Sequence, residues 1–127
     1  HILEISHLHT YYVQAISNFL FSLEIAPSNI SEFDVLYRDF ILEKSVFYSE
    51  LPERLTKQQF SALKGIAKSG VVKNPTAADF MEISNIRSAS SMHRIINSLQ
   101  DKQLVIKEEG ALRMYDVFLE HYLRFAL

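Results

Sequence analysis

Side chains that could do chemistry are few in this chain and scattered along it. The five histidines are His1, His7, His9, His93 and His121. His7 and His9 lie two residues apart, which on a helix points them in different directions, and no further ligands fall at a metal-binding spacing. They read as surface or packed histidines. Glu108 and Glu109 precede Gly110 and read as solvated carboxylates at a turn. Ser90 and Ser91 have no His–Asp arrangement beside them in sequence that would activate a hydroxyl. The absence of cysteine removes disulfides, thiolate nucleophiles and cysteine-based zinc sites together. No catalytic constellation and no metal site is expected in these residues.

Recognition chemistry has a better claim. Ser88, Ser90 and Ser91 open a predicted helix and offer short donors to phosphate, with the helix dipole assisting. Arg94 and Asn97 follow on that helix. Arginine matches the guanine edge and asparagine the adenine edge, each with two hydrogen bonds. Lys107 and Arg113 flank the Glu109-Gly110 turn, where they could touch phosphate. The opposing features are equally plain. Residues 88–101 contain one arginine and no lysine, and the two glutamates at the turn repel phosphate.

These residues need elements to position them, and the spacing of apolar residues supplies them. Tyr12, Ile16, Phe19, Leu20 and Leu23 predict an amphipathic helix that Thr10 can cap and Pro27 ends. Ser31 with Asp34 predicts a second helix, bearing Phe33, Leu36, Tyr37, Phe40, Ile41, Val46 and Phe47 and stopping before Pro52. Thr56 and Gln59 form a capping box for a third, which Gly70 closes. Val71 and Val72 suggest a very short strand. Thr76 with Asp79 predicts a short helix through Phe80 and Met81. Ser88 caps the helix bearing Met92, Ile95, Ile96 and Leu99. Leu104 to Ile106 pairs with Leu112 to Tyr115 through a tight turn. Asp116 caps a last helix with Val117, Phe118, Tyr122, Leu123 and Phe125. The fold class is therefore mainly α: a helical segment over residues 1–55, which the resemblance described next makes lid-like, then a winged-helix domain over residues 56–127 with a small antiparallel hairpin as its wing.

Three stretches carry a family resemblance: Leu55 to Gly70, Ser88 to Val105, and Met114 to Arg124. Ser88-Ala89-Ser90-Ser91-Met92-His93-Arg94 starts the helix, Leu99-Gln100-Asp101-Lys102-Gln103-Leu104-Val105 leaves it, and Tyr115-Asp116-Val117-Phe118 begins the close. Their order and spacing resemble the C-terminal region of archaeal-type ATPases of the AAA/STAND class. In that family a nucleotide-binding domain is followed by a helical lid and a winged helix. The resemblance extends to Leu8-His9-Thr10-Tyr11-Tyr12, similar to the family's Gly-His-Pro-Tyr-Tyr turn, and implies that His9 and Tyr11 lie near a nucleotide base in the parent protein. Leu8 and Thr10 depart from that pattern at the Gly and Pro positions. The chain itself has no G-x-x-x-x-G-K-[ST] phosphate loop, so ATP and magnesium are expected on the parent's N-terminal domain and no cofactor on this chain.

Length and charge fit this picture. The chain has 127 residues, 48% hydrophobic and 22% charged, which suits an ordinary globular domain. It starts without methionine inside an apolar pattern and reads as a piece of a longer protein. No apolar run reaches about 18 residues, so no membrane partner is expected, and the lack of cysteine fits a cytoplasmic setting. Residues 1–55 hold three basic and eight acidic side chains, whereas residues 56–115 hold nine basic and five acidic. The expected partners are the nucleotide-binding domain of the same parent or a protein partner, with duplex DNA as the alternative.

Overall fold

The computed structural model describes residues 10–22 and 30–125. Contacts divide the chain into two compact units, His1–Val46 and Phe47–Leu127. The first contains helices α1 (Thr10–Ser22) and α2 (Ile30–Glu43). They meet through Phe19 and Phe40, whose ring centroids are 4.9 Å apart. Phe33, Tyr37, Phe40 and Ile41 recur on the buried side of α2 at helical spacing. His9 and the Tyr11 side chain lie outside the described residues.

Two features differ from the expectation of one helix running from Ser31 to Pro52. Helix α2 begins at Ile30, with Ser31 already inside its first turn. It ends at Lys44, whose N–H is shared between the carbonyls of Phe40 and Ile41 at 3.3 and 3.0 Å. That tightened turn starts a new short helix, α3 (Ser45–Tyr48), and takes Val46 and Phe47 off the apolar stripe. They are 69% and 74% exposed. Pro52 does not mark a stop. It stands in the first turn of α4 (Leu51–Arg54), where its missing N–H costs nothing.

The second unit continues with α5 (Lys57–Ser69), β1 (Val71–Val72), α6 (Ala78–Ser84), α7 (Ala89–Asp101), β2 (Val105–Glu108), β3 (Ala111–Met114) and α8 (Val117–Phe125). The three strands form an antiparallel sheet in the order β1-β3-β2. Helix α5 is the central post. Ala62, Leu63, Ile66 and Ala67 on it are fully buried and join Met92 and Leu99 of α7, Val105, Leu112 and Met114 of the hairpin, and Leu119 and Leu123 of α8. Leu55 belongs to the same core, with Tyr48 and Leu51 packed against it. The step in charge near Leu55 therefore falls inside this unit: charge follows the surface, whereas the core takes in residues from Tyr48 onward.

Local chemistry explains the helix ends. Thr56 Oγ1 accepts the Gln59 N–H at 3.1 Å, and Gln59 Oε1 accepts the Thr56 N–H at 3.0 Å, completing the reciprocal box. Asp116 Oδ1 accepts the N–H groups of Phe118 and Leu119 at 2.9 and 3.3 Å, capping α8. Thr76 does not cap α6. It turns back to Asn74, whose Oδ1 accepts both its N–H and its hydroxyl, and Ala77 takes the cap position with no side-chain bond. Asn85 ends α6 in the left-handed conformation.

Helices α5 and α6 approach closely at Gly65. A Cβ there would lie 2.6 Å from Ser84 Oγ and 3.3 Å from the Phe80 ring. Ser84 Oγ is fully buried and has no hydrogen-bond partner among the described residues, so the packing around it is what resists its displacement. Gly65→Ala is expected to destabilise by about 1–2 kcal/mol, despite the better helix propensity of alanine. The loss should shrink in a Ser84→Ala background, and urea melts of the two single variants and the double variant measure it. Equal loss in both backgrounds would mean that Ser84 is not the obstacle.

Candidate functional site

Helix α7 owes its form to one cap and one stripe. Ser88 has extended backbone angles and its Oγ accepts the Ser91 N–H at 3.1 Å. Met92, Ile95, Ile96 and Leu99 are buried at helical spacing. The helix closes in a Schellman motif, in which Leu104 N–H reaches the Leu99 carbonyl and Gln103 N–H the Gln100 carbonyl. Gln103 takes the positive φ, at 60°, that this motif demands. A further tie comes from Gln59, whose Nε2 donates to Ser98 Oγ at 2.9 Å and fixes the start of α5 against α7.

The opposite face of α7 is open. Ser90, His93, Arg94, Asn97 and Asp101 are exposed, with Ser91 half-buried. The structure gathers Ser88, Ser90, Ser91 and Arg94 at the helix start. Ser88 Oγ donates to Ser91 Oγ at 2.8 Å and lies 3.4 Å from Ser90 Oγ. Arg94 Nη2 donates to Ser91 Oγ at 3.2 Å, so its guanidinium folds back toward the helix start. These bonds occupy part of the donor capacity that a phosphate would use. Asn97 stands one turn further along, on the same exposed face.

The wing separates its two cations. The hairpin turns at Glu109 and Gly110, both at positive φ, and pairs Glu108 with Ala111. In this register Lys107 is opposite Leu112 and Arg113 opposite Ile106. Side chains alternate along a strand, so Lys107 and Arg113 project from opposite faces of the sheet. Arg113 is half-buried and its Nη1 lies 3.5 Å from Glu108 Oε2. A shallow groove on that outer face is lined by Val71, Lys73, Glu108, Glu109, Ala111 and Arg113, which places two cations beside two carboxylates. A larger groove, of about 420 Å³, follows β1 between Val71, Lys73, Phe80 and Ile83.

Four side chains outside these candidates, Tyr48, Glu120, His121 and Arg124, add further contacts, of which Glu120–Arg124 and His121–Phe125 are four residues apart on one helix and the other two join residues far apart in sequence. Tyr48 donates to Asp116 Oδ2 at 3.0 Å. Arg124 donates through Nε to the Ala67 carbonyl at 2.6 Å and through Nη2 to Glu120 at 3.0 Å. Glu120 and His121 are buried, and His121 stacks on Phe125. Among the described residues, no three His, Asp or Glu side chains gather where they could hold a metal ion. No helix among them is long and apolar enough to cross a membrane.

A helix, a short strand, two further helices and a hairpin, with the first strand paired to the last, define a winged helix. Residues 46–125 match the family described as "Probable winged helix domain", and the chain belongs to that family. No curated protein and no solved structure matches it.

Proposed function

We propose that the chain is a non-catalytic interaction module, whose winged helix docks on the nucleotide-binding domain of its parent, an ATPase of the AAA/STAND class, or on a protein partner. The observation that supports this reading best is the divergence of the wing's cations. Lys107 and Arg113 face opposite sides, Arg113 is engaged by Glu108, and Glu109 sits at the hairpin tip. A phosphate-tracking surface needs several cations on one side. A protein-docking surface is served by mixed charge with apolar side chains between, such as Val71 and Ile83, each 57% exposed. The parent context rests on the order of motifs from Leu55 to Arg124. ATP and magnesium would then be held by the parent's other domain.

Sedimentation of the chain mixed with the separately produced nucleotide-binding domain tests the reading. A complex with altered ATP turnover is expected. Independent sedimentation with unchanged turnover would overturn it. Duplex DNA is the second reading, favoured by the open face of α7, on which Ser90, Arg94 and Asn97 are exposed.

A further inference from the structure

We infer that the open edge of β1 and the groove beside it take an extended segment of a protein partner, which adds a fourth strand and sets an aliphatic side chain on Phe80 and a carboxylate by Lys73. This rests on the docking role proposed above and names the kind of segment that docks. In the sheet order β1-β3-β2, β1 has a neighbour on one side only. Val71 and Val72 pair with Arg113 and Leu112, and they make no further backbone bond among the described residues. An open strand edge presents unpaired donors and acceptors that fit another extended chain. A helix satisfies its own backbone groups and cannot pair with such an edge. Because β1 has only two residues, backbone pairing is brief and side chains must add to it.

The groove of about 420 Å³ along β1 supplies a place for them. Val72 and Phe80 belong to the domain core, whereas Val71 and Ile83 are each 57% exposed at its rim. Successive side chains of a strand point to opposite faces of the sheet. A strand added to β1 therefore turns every second side chain to the face where Val72 and Phe80 lie, beside Ile83. An aliphatic side chain there covers apolar surface that water now wets. Charge selects its neighbour. Lys73 follows directly on β1, is exposed, and holds no ion pair among the described residues. Asp79, the other charged residue of the groove, already gives one carboxylate oxygen to the Phe80 N–H at 2.8 Å. An incoming carboxylate finds a cation at Lys73, and an incoming lysine is repelled there.

NMR titration of the full chain with short capped peptides tests this. The peptides are built of threonine and serine, with leucine or serine at the centre and aspartate, serine or lysine two positions to either side. The peptide with leucine and aspartate should bind most tightly, by about tenfold over its serine-centred counterpart, since one aliphatic side chain is buried. It should shift the amides of residues 71–73 and of Ile83. Methylating alternate backbone nitrogens of the peptide should abolish binding, because strand pairing is then blocked. Ile83→Ser should weaken it by about tenfold, and Lys73→Glu should turn the preference from aspartate to lysine. Both substitutions fall on exposed side chains and leave the core intact. Binding by no peptide would overturn the inference. So would shifts confined to the open face of α7, indifference to backbone methylation, or an unchanged charge preference in Lys73→Glu. No nucleotide-binding domain enters the titration, so its failure leaves the proposed complex to be made by another surface, and failure of that complex leaves the peptide result standing.

Discussion

Leu99→Ala is expected to cost about 3–4 kcal/mol, the largest loss from any single truncation on α7. Leu99 is fully buried, in the same core as Leu63, Ile66 and Met114. It also lends its carbonyl to the Leu104 N–H that closes the helix, so its position is fixed by backbone as well as by packing. A void beneath it cannot be filled by moving the helix without breaking that closure. Domains of this size are stable by roughly 5–15 kcal/mol, so the variant should unfold at markedly lower urea. Asn97→Ala, two residues earlier on the exposed face, should change stability by less than about 0.5 kcal/mol. Urea melts followed by circular dichroism separate the two. Similar losses in both would contradict the assignment of the buried stripe.

The second large effect belongs to Arg124. Its guanidinium holds the Ala67 carbonyl in the last turn of α5 and the buried carboxylate of Glu120 in its own helix. The carbonyl end of a helix carries partial negative charge, so a cation there is favourable. Arg124→Ala takes the cation from both groups. A loss of about 2 kcal/mol is expected, at the lower end for a buried pair because the arginine itself is partly exposed. Arg124→Lys should recover only part of it, since one ammonium cannot bond both acceptors in the geometry of the planar fork. Glu120→Gln keeps a hydrogen-bond acceptor and should cost less than Arg124→Ala. Thermal melts of the three variants give the order. Full stability in Arg124→Ala would mean that α5 and α8 are held by apolar contact alone.

What was legible in the sequence is what short-range chemistry dictates. The Thr56–Gln59 box, the Ser88 and Asp116 caps and the Glu109-Gly110 turn each depend on residues within a few positions of one another, and all form. The stripe of Met92, Ile95, Ile96 and Leu99 is buried as its spacing requires. The structure departs from the expectation where two local options compete. Thr76 could cap forward or bond back to Asn74, and it bonds back. Pro52 could end a helix or begin one, and it begins one. The break at Lys44 has no proline or glycine to announce it. Long-range bonds such as Tyr48 to Asp116 have no sequence signature.

The candidate site shows a different limit. Residue type alone groups Arg94, Asn97, Lys107 and Arg113, yet a two-residue turn already fixes the register and places positions 107 and 113 on opposite faces. The opposed wing cations were therefore readable in principle. What could not be read was the pairing of Arg113 with Glu108 and the way Arg94 folds back onto Ser91. Both depend on side-chain placement: the first sets a carboxylate against the charge of Arg113, and the second turns the exposed Arg94 toward the helix start with its charge intact.

Binding to a labelled duplex, titrated from low to physiological salt, separates a docking surface from a groove-reading one. For a docking surface, Arg94→Ala and Lys107→Ala leave the affinity within about twofold at every salt concentration and do not change the salt slope. Weakening by tenfold or more in Arg94→Ala, with the slope falling by about one unit in Lys107→Ala, would show that α7 and the wing read duplex DNA and would contradict the docking role.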